Sequence, residues 1–171
     1  MAIDKIQSES INLADNFAFT GTVTGAGGAN TPAFFAISTS TEDNTDISDN
    51  TYTKMTFSTE VFDTNNTYSS NRFTPGVAGK YFITAKGVAQ NLVNGGRGAL
   101  AIYKNGSIMD DPYTSFFEDG NAASAGFCSM SVGAIVESDA DDYFEIYAKK
   151  NDGGNTGGIY DKYFGAYKII T

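Results

Sequence analysis

Pro32 to the end of the chain is a run of short, β-favouring segments, each cut off by a strong turn signal. The breaks are Pro75-Gly76, Asn94-Gly95-Gly96, Asn105-Gly106, Asp119-Gly120 and Asp152-Gly153-Gly154. Gly and Asn tolerate positive φ and Pro presets φ for a turn, so each break reverses the chain rather than extending an element. Between the breaks no stretch of useful length carries a helical stripe. The spacing predicts strands at 33–38, 53–57, 71–74, 80–89, 99–104, 127–136, 143–149, 158–160 and 164–170, with further strand material across 52–62. Short strands at this spacing point to an all-β sandwich.

Period-two alternation assigns faces within three of these segments. Tyr81, Ile83 and Ala85 share one face against Lys80, Phe82, Thr84 and Lys86; Leu100 and Ile102 oppose Ala101 and Tyr103; Phe144 and Ile146 oppose Tyr143, Glu145 and Tyr147. One face of each strand makes the core. The other also carries aromatics, where a free-standing sandwich is mostly polar. This predicts a second buried surface between subunits, with Phe82, Tyr103, Tyr143 and Tyr147 as its candidates.

Residues 1–28 read differently. Ile3, Ile6, Ile11, Leu13, Phe17 and Phe19 are scattered, Phe17 to Thr24 alternates as in a short strand, and Gly25-Ala26-Gly27-Gly28 closes the segment. Such a piece buries little by itself, so it is expected to be an anchoring arm with a Gly-rich hinge, packed on another chain. The expected organisation is an arm at 1–28 and one domain at 29–171.

Composition excludes several functions. A net charge of -9 and a pI near 4.3 disfavour nucleic acid and anionic membrane, which need a basic face. The chain has no His, which removes the commonest general base and the usual zinc ligands. Cys128 is alone in an apolar run and reads as a small buried hydrophobe. No apolar run approaches the ~20 residues of a membrane helix and the start lacks a leader pattern, so synthesis in the cytoplasm without membrane insertion is expected.

Two acidic groups are the remaining candidates. Glu137, Asp139, Asp141 and Asp142 crowd one turn, and oxygen ligands suit calcium, so Asp139, Asp141 and Asp142 are a candidate calcium site; no cofactor is otherwise required. The segment 107–125 is long for a strand connection and mixes acids with aromatics. Its Asp110, Asp111, Tyr113, Phe116 and Phe117 are candidate receptor contacts. The Gly-rich stretch 151–158 lacks the helix and Lys-Ser/Thr pair of a phosphate loop. Paired carboxylates leave a glycan-cleaving alternative, although a domain of this size without Trp offers little for a long sugar chain.

Four stretches in order carry a resemblance. Asn71 to Ile83 (NRFTPGVAGKYFI), Leu100 to Gly106 (LAIYKNG), Asp142 to Ile146 (DYFEI) and Tyr163 to Tyr167 (YFGAY) are similar to the signatures of the C1q globular head and its TNF-like relatives. Asp141 departs from the family's usual Gly, Ala166 from its bulky apolar residue, and no collagen tract lies upstream. The resemblance implies a ten-strand jelly-roll sandwich that assembles as a homotrimer and has no catalytic activity. The arm, from Ala2 to Val23, resembles the openings of tail and virion structural proteins of phages, particularly marine ones. That implies a virion protein serving as a fibre tip, tail appendage or capsid decoration. Its expected partners are other virion proteins through the arm and a host-surface glycan or protein at the head. A cell-encoded C1q-like adhesion or ligand module is the alternative.

Overall fold

The computed structural model describes residues 30–39, 45–92, 96–110, 113–118, 126–151 and 157–169. These form thirteen strands and no helix: β1 (Ala33–Ser38), β2 (Thr45–Ile47), β3 (Thr53–Lys54), β4 (Thr59–Asp63), β5 (Tyr68–Ser69), β6 (Arg72–Phe73), β7 (Gly79–Leu92), β8 (Arg97–Lys104), β9 (Ser107–Ile108), β10 (Thr114–Glu118), β11 (Gly126–Ser138), β12 (Phe144–Asn151) and β13 (Gly157–Lys168). Five of them are only two or three residues long, which is why there are more than the ten expected. Sheet one runs β11-β7-β13-β1-β4, with β2 also on β13. Sheet two runs β10-β8-β12-β6-β5, with β3 on β12 and β9 on β8.

The core lies between the sheets and follows the alternation read from the sequence. Tyr81, Ile83, Ala85, Leu100, Ile102, Phe144 and Ile146 are fully buried. Phe34 lies at the centre of an aromatic cluster, stacked on Tyr68 and Phe73 with centroids 4.7 and 4.8 Å away, and edge-on to Phe164 at 4.7 Å. Each such side chain contributes about 1.5–3 kcal/mol by leaving water. The Tyr81 hydroxyl is kept from being an unpaired buried donor by the Val77 carbonyl, 2.7 Å away.

Three segments depart from expectation. The predicted strands at 158–160 and 164–170 are one strand, β13, whose register against β7 shifts between Tyr160 and Tyr163, with Asp161 at φ 45°. A bulge breaks the alternation that a sequence reading relies on. The predicted strand at 53–57 pairs only at Thr53–Lys54. Beyond it, Met55 and Phe57 stay buried and their N–H groups donate to the Ile146 carbonyl and to Asn71 Oδ1. The segment read as one long loop, 107–125, contains β9 and β10; β10 completes the edge of sheet two against β8.

Candidate functional site

The outer side of sheet one is an aromatic plane. Antiparallel pairing puts partners on one side, so the register lines residues up in rows. Ile135, Phe82 and Tyr167 form the first row; Gly133, Thr84, Gly165, Phe35 and Phe62 the second; Ser131, Lys86, Tyr163 and Ile37 the third; Ser129, Val88 and Tyr160 the fourth. Within these rows Lys86 is the only charged residue. Phe127 is 69% exposed, Ile135 57%, Phe62 48% and Tyr167 42%.

The rings pair side by side. Phe82 meets Tyr167 at 5.6 Å, Phe35 meets Tyr163 at 5.5 Å and Phe62 at 6.4 Å, and Phe127 meets Tyr160 at 6.0 Å. Two glycines let them lie low. A Cβ on Gly133 would come within 3.3 Å of Phe82 Cζ, and one on Gly165 within 2.8 Å of Phe35 Cδ2.

Sheet two's outer side is aromatic but differently built. Tyr103 and Tyr147 stack at 3.8 Å, and Tyr52 meets Tyr103 edge-on at 5.9 Å. Beside them the nearly buried Glu145 accepts from Lys54 Nζ at 2.7 Å and from Arg72 Nε at 2.9 Å, both on Oε1. The Arg72 guanidinium lies 3.8 Å over the Tyr143 ring. Burial alone would raise the Glu145 carboxyl, yet the Lys54 and Arg72 hydrogen bonds outweigh it and hold the group below the usual carboxylate range. The Tyr147 hydroxyl is pushed up, first by burial and then by the Glu145 charge.

The four residues expected at one subunit interface are therefore divided. Phe82 lies on sheet one, while Tyr103, Tyr143 and Tyr147 belong to sheet two, across the core. Alternation distinguishes inside from outside of a strand but not which sheet a strand joins. Other outward-facing residues of sheet one escaped notice; Phe35, Tyr163 and Tyr167 were detectable by the same alternation within 33–37 and 163–167, and Ile135 within 127–136, while Phe62 lies in β4.

The acidic turn forms an internal clasp around Asp142, one of the three residues of the calcium expectation. Asp142 Oδ2 accepts from Lys104 Nζ and from the Asp139 N–H, each at 2.7 Å, and Oδ1 accepts from Asn105 Nδ2 at 2.7 Å. These bonds, with Lys104 first, hold its carboxyl at about 2. Asp139 and Asp141 point to solvent, and among the described residues no three acidic, His or Cys groups gather as a metal site. Three of the roughly four lone-pair positions of this carboxylate are taken by an ammonium and two N–H donors.

Of the expected receptor contacts, Asp110 is exposed, and Tyr113 is half-buried and packs on the core. Phe116 and Phe117 are in β10, opposite Ala99 and Gly98. Asp111 and the arm residues Ile3, Ile6, Ile11, Leu13, Phe17 and Phe19 lie outside the described residues. Cys128 is buried, 2% exposed.

No family model and no curated protein matches the chain. Solved structures do. The globular domain of zebrafish complement 1qA protein aligns with a TM-score of 0.55 at 19% identity, covering 81% of this chain and 97% of that one. Eiger TNF from S. frugiperda aligns at 0.53 and 9% identity, covering 80% and 91%. Murine APRIL aligns at 0.54 and 9% identity, covering 80% and 98%. The fold is the jelly roll shared by C1q and TNF domains.

Proposed function

We propose that this chain is a non-enzymatic recognition head that works as a homotrimer, with the outer side of sheet one as the contact between subunits. One observation carries the reading: four rows of that face hold a single charged residue, and its large apolar side chains stand open to water. A contiguous apolar face of this kind marks a surface made to be covered. The C1q and TNF resemblance supplies the threefold arrangement. The two buried carboxylates of the described residues, Asp142 and Glu145, are both held by cations, which supports a binding role over glycan cleavage.

Light scattering at micromolar concentration tests it. The expected mass is three times the 18.2 kDa of the chain. Ile135→Asp places a charge in the contact and should yield monomers, since burying an unpaired charge costs several kcal/mol. Tyr147→Asp, on sheet two, should leave the trimer intact. A monomeric parent, or an Ile135→Asp variant of unchanged mass, overturns the proposal.

The finer reading is that the head belongs to a virion, as a fibre tip, tail appendage or capsid decoration, held by the arm at 1–28. Its support is the apolar pattern of that arm and its resemblance to phage proteins. A cell-encoded C1q-like ligand fits the fold equally. Capsid, portal or tail genes beside this one, with the protein found in purified particles, would establish the virion role; cellular genes alone on both sides would reject it.

A further inference from the structure

On the outer side of sheet two, between β8 and β12, a hollow of about 170 Å³ is lined by Arg97, Gly98, Ala99, Lys149 and Asn151. The register builds it: Asn151 stands opposite Arg97 and Lys149 opposite Ala99, so two cations and an amide rise around an alanine that is itself only 2% exposed. Gly98 is a glycine because any Cβ there would meet Met130 Sδ at 2.5 Å. Lys149 Nζ lies 4.8 Å over the ring of Tyr52, which continues into Tyr103 and Tyr147.

In a chain of net charge -9 this lining holds two cations and no carboxylate. Glu118 of β10 stands opposite Arg97 in the register. The Arg97 guanidinium has five donors in a fork, so it can serve more than one acceptor at once.

We propose that this hollow binds an acidic sugar, taking the carboxylate of a sialic or uronic acid between Arg97 and Lys149. The charge selects an anion, and the volume suits one pyranose ring rather than a length of peptide. Asn151 offers a donor and an acceptor to ring hydroxyls, and the tyrosines beyond Lys149 give the next sugar an aromatic wall. The hollow lies on the opposite sheet from the proposed subunit contact. Binding therefore does not depend on assembly, and either proposal can fail alone.

Titration of the full chain with N-acetylneuraminic acid and glucuronic acid, followed by calorimetry or ligand-observed NMR, tests it against glucose and inorganic phosphate. An acidic sugar should bind and glucose should not. Lys149→Gln and Arg97→Gln should each weaken binding about tenfold, as expected for one charge-assisted hydrogen bond. Lys86→Gln on sheet one should have no effect. Melting curves matching the parent show that the variants fold. Equal binding of glucose, equal binding of phosphate or an acidic peptide, or insensitivity to both substitutions overturns the proposal.

Discussion

Asp142 shows how far a single residue's role depends on chain that is distant in sequence. Lys104 and Asn105, which lock its carboxylate, come from the β8 end. Its carboxyl is lowered to about 2 from 3.8. A depressed carboxylate contributes stability above its unfolded value and loses it as pH falls through the folded one. The parent should therefore lose stability between about pH 4 and pH 2 through this group, and Asp142→Asn should flatten that part of the profile. Thermal melts across that range measure it; equally steep profiles would assign the acid sensitivity to other carboxylates. From sequence alone the residue is one of four acids in a turn, a pattern that suggests calcium. The clasp was hidden because its cation lies 38 positions away across a strand pairing, although Lys104-Asn105-Gly106 had itself been recognised as a strand end and turn.

At the scale of strands, sequence was a good guide where alternation was unbroken and a poor one where it was not. β7, β8 and β12 were read with their correct faces because Tyr81-Phe82-Ile83, Leu100-Ala101-Ile102 and Phe144-Glu145-Ile146 alternate cleanly. β13 was divided by its bulge and β10 was taken for loop, since a short edge strand has one partner and little pattern of its own. The glycines in sheet one make a further point that spacing does not reveal. Gly165→Ala would drive a Cβ into the Phe35 ring, which must tilt up from the sheet. The expected outcome is a protomer that still folds, less stable by about 1–3 kcal/mol, and a weakened trimer. Denaturant melts and light scattering read the two effects separately; an unchanged trimer would mean that Phe35 is outside the contact.

For the whole molecule, the jelly roll was legible in four ordered stretches, while the division of labour between its two sheets was not. Phe82 and Tyr147 look alike along the chain, yet one belongs to a bare aromatic plane and the other to a tyrosine cluster beside an ion-paired carboxylate. A smaller feature, the Asn105-Gly106 turn, bears on chemical ageing at one site. Asn-Gly is the dipeptide most prone to chemical ageing: the Gly nitrogen attacks the Asn side-chain carbonyl, ammonia leaves, and water then opens the resulting ring to aspartate or isoaspartate. Here the Asn105 amide donates to Asp142, and its oxygen accepts the Tyr143 N–H at 2.9 Å, so the side chain is held from the attacking nitrogen. Peptide mapping after prolonged warm storage should find the folded protein intact at Asn105, and Asp142→Ala should speed its conversion. Equal rates in the two proteins would mean that the clasp gives no protection. The residues that close the turn thus also slow its decay.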